Sequence, residues 1–476
     1  MRNPSKAAPL GLALDATGRE PLHRQIGAEL RRAILERRLA GGMKLPSSRL
    51  MAVELACARG TVLLALEQLI AEGYIVARPG SGMSVAADLP DEMLAAPAPA
   101  IQGPPRQAAT MRAGPDAALR IGQPDRDFPF PLWAKLLEAE WRRPSWAIAG
   151  MPHPFGHPGL RAAIADHLGA LRGFRCDPAE VVVTTGIRES VTLLARLLLA
   201  PGEQAWMEEP GYPGIRLALE AAGVRAVAVA VDEAGFVPDR AMALAPGARL
   251  AVVAPAHHFP LGIVLSLQRR LALLAWAERT GGWIVEDDYD GEYRYSGRPL
   301  SPLRALDRSG RVAFVGSFSK LLFPALRLSY LVLPRALAGP AEVALAGGGA
   351  SMLGQGALAR FIAEGHFAAH LRRTRRIYAE RQAAMIEAMR THCADRLTIV
   401  ADPGGMHLVA RPLGEFDDAA AVRAAASMNL APSALSVCYA SAPACHGLLL
   451  GYAALPVAEM NAAVRRLRAA LALARN

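Results

Sequence analysis

Apolar residues at Leu22, Ile26, Leu30 and Ile34 return every four positions, with arginines between them. That period predicts an amphipathic helix, halted by Gly41-Gly42. Ser47 or Ser48 can cap a short second helix running to about residue 56. Residues 59–72 follow as a third helix, its inner face formed by Val62, Leu66, Leu69 and Ile70, and Gly73 ends it. Segments 74–77 and 83–86 then read as two strands around the turn Arg78-Pro79-Gly80-Ser81-Gly82. Further along the pattern changes. Short, continuously apolar runs at 181–184, 250–255, 283–285 and 312–315 have no polar alternation. Such runs belong to strands covered on both faces, as in a parallel sheet.

Between these regions, residues 88–115 are rich in Ala, Pro and Gly and lack a period, which predicts a linker. Three segments result: a module of three helices and a hairpin over 1–87, the linker, and an α/β domain over 116–476. A chain of 476 residues has room for more than one domain, and its 52% hydrophobic content supports a large core. Its net charge is +10, and residues 1–87 alone carry half of it. Such concentration suits a module that meets phosphates. Apolar runs are too short to span a membrane, and no signal-peptide core opens the chain. The five cysteines form no CxxC pair, which points to a reducing cytoplasm and away from disulfides or structural zinc. The pair His257-His258 has no further ligands at metal-binding spacing, so no metal is expected.

The chemistry gathers where two apolar runs end. One meets Glu286-Asp287-Asp288-Tyr289, the other Gly316-Ser317-Phe318-Ser319-Lys320. Ligands of open α/β sheets sit beyond the carboxyl ends of strands, so an acid, a phenol, two hydroxyls and a lysine are expected to share one crevice. That set suits pyridoxal 5'-phosphate. Lys320 would form the Schiff base and Asp287 would face the pyridine nitrogen. Tyr289 would meet the ring hydroxyl, and Ser317 and Arg327 would hold the phosphate, with Ser319 alongside.

EDDYDGEYRY followed by GSFSKLLFPALRLSYLV resembles the aminotransferase-like domain of MocR/GabR/PdxR regulators, itself similar to fold type I, class I aminotransferases. The N-terminal LPSSR, ARGTV, LxxEGY and RPGSG resemble the GntR-type winged helix-turn-helix domain. The resemblance implies that the third helix enters a major groove of double-stranded operator DNA. Arg49, Arg59 and Thr61 would contact DNA, and Gly80 and Gly82 would let the wing approach it. Where the family has Val-Ser-Arg, this chain has Cys57-Ala58-Arg59, so one hydroxyl contact is missing.

By the same resemblance, backbone groups at Gly186, Ile187 and Arg188 cradle the cofactor phosphate at a helix N-terminus. Tyr212 stacks on the cofactor ring, and His257 faces cofactor or ligand. Phe259 stands where class I enzymes carry an asparagine that touches the ring hydroxyl. Leu449 occupies the position of the arginine that grips a substrate carboxylate, with His407 as a weak substitute. Its loss argues against ordinary amino-acid transamination. The expected protein is therefore a cytoplasmic regulator, probing for pyridoxal phosphate itself or for an amine or amino-acid effector. Relatives imply a head-to-tail homodimer. The rival reading is a competent aminotransferase with an appended DNA-binding domain.

Overall fold

In the computed structural model, described here for residues 12, 14–15, 20–78, 82–87, 114, 116–142, 150–295, 300–346, 348–400, 402–441, 443 and 445–474, the chain divides into two compact units, 1–107 and 108–476. Gly80 and most of the segment 88–115 lie outside the described residues.

In the first unit, helix α1 (Leu22–Leu35) buries Ile26, Leu30 and Ile34, as its four-residue period demands. Helix α2 (Ser48–Glu54) starts where the Ser47 hydroxyl accepts from the Leu50 amide at 3.3 Å. Helix α3 (Arg59–Ala71) buries Val62, Ala65, Leu66 and Leu69. Ile70, expected on that face, is exposed instead. Ala65 and Leu69 sit one turn apart and complete the stripe, while Ile70 falls about 100° round from Leu69. Strands β1 (Ile75–Arg78) and β2 (Gly82–Val85) form an antiparallel hairpin. Residues 42–45 extend its edge through Gly42 N–Val85 O, Leu45 N–Met83 O and Val85 N–Met43 O bonds. Three helices and this hairpin make a winged helix-turn-helix.

The second unit is built on a seven-stranded sheet. Its strands are β3 (Val181–Thr184), β4 (Gln204–Glu209), β5 (Arg225–Ala230), β6 (Leu250–Val253), β7 (Trp283–Asp288), β8 (Val312–Ser317) and β9 (Ser329–Val332). They lie in the order β3-β9-β8-β7-β6-β4-β5, and β9 alone runs against the others. Alternate residues of each strand enter different cores. Val285, Ala313 and Val315 join one cluster, Ile284 and Val312 another, and Phe314 a third. That two-sided burial explains the unbroken apolar runs. A smaller antiparallel sheet follows, ordered β10 (Leu397–Val400), β11 (His407–Pro412), β13 (Leu448–Gly451), β12 (Ser433–Ala434). Among the described residues, no helix is long and apolar enough to cross a membrane.

The arginine run 372–376 lies in the helix His366–Cys393. Arg373 pairs with Asp125 at 3.0 Å, and Arg375 donates to the Glu292 carbonyl. Arg372, Arg375 and Arg376 are exposed.

Candidate cofactor pocket

The parallel strands β4, β6, β7 and β8 end at one place, and there a pocket opens, with a cavity volume of about 130 Å³. β7 and β8 pair Asp287 with Val315, which puts both on the pocket wall. One residue earlier and later, the side chains point away. Glu286 accepts from the amides of Leu303 and Arg304 at 2.8 and 2.9 Å, and Asp288 pairs with the Arg172 guanidinium. The pleat thus selects one acid of three for the pocket.

Ser317 caps the end of β8, and Lys320 follows on the short helix Phe318–Leu321. Both line the pocket, as do Tyr289, Tyr212 and Ile187. Ile187 opens the helix Ile187–Leu198, and Gly186 is its N-cap. The first amides of that helix have no partner within it and are free to meet an anion. Thr185 N and Oγ1 donate to Glu189 at 2.6 and 2.7 Å, which fixes the turn.

Several expected residues stand off the lining. The Arg188 and Arg327 side chains are exposed, and the Ser319 hydroxyl donates to the Leu328 carbonyl at 3.3 Å. Arg327 is near enough to Lys320 to lower its pKa. His257 lies one layer behind Tyr289. Its Nδ1 is 3.0 Å from the Tyr289 hydroxyl and from both Asp290 oxygens, and its Nε2 is 2.7 Å from Asp402. Burial opposes a charge there, but Asp290 and Asp402 outweigh it and hold His257 well above the ordinary histidine range. An imidazolium donating from both nitrogens fits that geometry. His257 therefore positions Tyr289 rather than lining the pocket.

Burial works on the lining acids and bases too. It drives Asp287 up to about 8, with Asp288 and Asp290 adding to the rise and Lys320 opposing it. The same desolvation lowers Lys320, against the pull of Asp290 and Asp287. Burial thus favours the neutral form of both partners, holding the proton on Asp287 and easing its loss from Lys320. Deeper still, Glu208 is held up to about 8 by burial and accepts from the Ala254 amide.

The structure adds residues that the sequence reading passed over. Gly122 (φ +69°) leaves room for Lys320, since a Cβ there would sit 2.5 Å from Nζ. Ile121 and Met406 line the pocket. Glu209, at the end of β4, accepts from the amides of Ala440 and Ser441 and from the Ser441 hydroxyl at 2.7 Å. It ties the strand before Tyr212 to the segment that follows β12. Among the described residues, no cluster of His, Cys, Asp or Glu is arranged to hold a metal ion.

In the first unit, Arg49 is exposed, and Thr61 is half-buried in the first turn of α3. Arg59 is exposed, its Nε donating to the Ser48 hydroxyl at 3.2 Å. Gly82 has φ +84°, a conformation that only glycine adopts freely. Ala58 is the N-cap of α3 and makes no side-chain cap bond.

Comparison with known proteins agrees with both halves. Residues 22–85 match the bacterial regulatory proteins of the gntR family, and residues 119–467 match aminotransferase class I and II. The probable rhizopine catabolism regulatory protein MocR of Rhizobium meliloti is 40% identical over 473 residues, covering 96% of this chain and 95% of that protein. The chain belongs to the MocR-type gntR regulators. The pyridoxine biosynthesis transcriptional regulator PdxR of Corynebacterium glutamicum is 32% identical, covering 94% of this chain and 95% of its own. Among solved structures, the α-aminoadipate aminotransferase LysN of Thermus thermophilus, complexed with N-(5'-phosphopyridoxyl)-L-leucine, superposes with a TM-score of 0.68 at 27% identity. It covers 75% of this chain and 92% of that one. In this MocR-type chain, the fold type I domain spans most of the length, and the winged helix precedes it.

Proposed function

We propose that this regulator binds pyridoxal phosphate in the pocket and that a small amine or amino-acid effector, or the cofactor itself, alters its hold on operator DNA. One observation carries the reading: a half-buried lysine, Lys320, and a buried aspartate, Asp287, line one pocket in a chain that also has a winged helix. The residues fit the group. Lys320 would hold it covalently, Asp287 would take its ring nitrogen and share the proton, and Tyr289, steadied by His257, would meet its ring hydroxyl. Ser317 and the amides at Gly186, Ile187 and Arg188 would receive the phosphate, with Arg327 reaching in from the surface. Tyr212, edge-on to Phe259 at 5.8 Å, would cover the ring. The bound cofactor supplies an electron sink. A buried carboxylate without a cation is costly, so Asp287 would ionise only with the protonated ring nitrogen as its partner.

The further assignments complete the reading. Residues 1–87 form the DNA-binding domain, 88–115 the linker and 116–476 the cofactor domain. Arg49, Arg59, Thr61, Gly80 and Gly82 meet the DNA. The protein acts in the cytoplasm as a head-to-tail homodimer, without a metal. Sensing requires a ligand with different affinities for two arrangements of that dimer. The intact Lys320–Asp287 pair also favours a second reading, an aminotransferase with an appended DNA-binding domain.

Binding to the DNA upstream of this protein's own gene, at fixed salt, with and without pyridoxal phosphate, tests the proposal. A specific, salt-sensitive shift that responds to cofactor or to an added amine is expected. Many turnovers of an amino acid with a keto acid, and no specific shift, would replace it with the enzyme reading.

A further inference from the structure

A helix on the surface of a small domain is ordinarily polar on its outer side. Helix α3 departs from that rule. Val62, Ala65, Leu66 and Leu69 fill its inner face. Away from them, Gly60, Leu63 and Leu64 stand at i, i+3 and i+4, the spacing that gathers side chains into one patch. Leu64 is 55% exposed and Leu63 is half-buried. Among the described residues, neither belongs to the core cluster of this unit. A Cβ on Gly60 would meet nothing within 4 Å, so the surface beside the leucines is open. A single exposed leucine needs no explanation. Two of them beside a glycine, on the helix that a winged helix-turn-helix presents to DNA, do.

The patch lies in the first half of α3, among exposed cations. Arg59 adjoins Gly60, Thr61 stands three residues before Leu64, and Arg49 on α2 is exposed. In this architecture the first residues of the third helix face base edges in the major groove. Guanine, adenine and cytosine offer donors and acceptors there. A leucine pressed on such groups would strip their water and leave them unpaired, at a cost. Only thymine adds a methyl group to its edge.

We propose that Leu64, with Leu63 beside it, reads the 5-methyl group of a thymine in the operator. This contact presupposes the DNA-binding reading above and adds a base to it. Gly60, lacking a side chain, lets α3 come close enough for the leucines to reach the groove floor. Carbon meets carbon, so the contact selects a base without exchanging a hydrogen bond.

The test uses the full-length protein, with pyridoxal phosphate present, and the DNA upstream of its own gene. Footprinting first locates the bound site. Each thymine of that site is then replaced singly by deoxyuridine, which removes the methyl and keeps every hydrogen-bonding group. At one or more of these positions, wild-type affinity is expected to fall about fourfold, the worth of one buried methyl. The double variant Leu63→Ala, Leu64→Ala should bind the thymine and deoxyuridine sites equally at those positions. Its salt dependence should match that of wild type, because no phosphate contact has changed. Should the variant fail to fold, the deoxyuridine series on wild type decides alone. A wild-type protein indifferent to every replacement, or a folded variant that still prefers thymine at the same position, overturns this inference and leaves the DNA-binding reading standing. No specific shift on that DNA overturns both.

Discussion

A methyl group on Gly122 would lie 2.5 Å from the Nζ atom of Lys320. The backbone at that glycine has φ +69°, so alanine would meet both a clash and an unfavourable conformation. The lysine can retreat, because its far end is flexible, but only by leaving its place beside Asp287. Gly122→Ala is expected to lower cofactor affinity about tenfold or more. Its stability loss should stay near 1–2 kcal/mol. Cofactor titration by absorbance and a denaturant melt of the same preparation separate the two effects.

Asp287 carries a different trade. Its folded pKa is raised to about 8, so the folded protein binds that proton more firmly than the unfolded chain does. Its contribution to stability is full below about pH 4 and is lost as pH rises towards 8. Asp287→Asn removes the titration. Without cofactor, the variant should match wild type near pH 4 and exceed it above pH 8, by on the order of a few kcal/mol. With cofactor, the order should invert, because the ring nitrogen has lost its partner. Denaturant midpoints across that range, with and without pyridoxal phosphate, check the sign.

His257 has the opposite sense. Asp290 and Asp402 raise its pKa, so its stabilisation is present below about pH 6.5 and fades as pH rises through the raised value. His257→Gln would leave two buried carboxylates facing each other without a cation. A loss of about 3–5 kcal/mol is expected at neutral pH, shrinking under alkaline conditions. Thermal unfolding of both proteins at neutral and alkaline pH measures it.

Ala58 offers a gain. It occupies the N-cap of α3 with extended backbone geometry but has no oxygen to accept from the helix amides. Ala58→Ser should stabilise the DNA-binding unit by about 1 kcal/mol. It should also tighten operator binding, since the hydroxyl lies next to Arg59. Gel-shift titration and thermal unfolding report the two changes independently.

The fold was largely legible in the chain. The run from Trp283 to Ser317 showed two strands because its residues are apolar on both faces, and the polar residues after each run marked the crevice. The Ser47-Ser48 pair announced α2 by a cap, which Ser47 supplies, and the Leu22 period announced α1. Ile70 misled, because an apolar side chain at the edge of a stripe looks like one within it. The second layer was illegible for a geometric reason. His257 and Asp402 are 145 residues apart and meet only when the small sheet closes on the large one. Gly122 is likewise informative only beside Lys320. No local period or spacing records such meetings.

The ties made by Glu209 and His257 have one more implication. Each joins the large sheet to the small one, through the Ala440–Ser441 amides in the first case and Asp402 in the second. These polar ties stand beside the apolar cluster in which Val409, Leu435 and Leu449 pack against Ile121 and Phe259, so the two sheets are joined by charge and by buried carbon alike. A carboxylate that lost its partners inside such a seam would be left desolvated, at a cost on the order of a few kcal/mol.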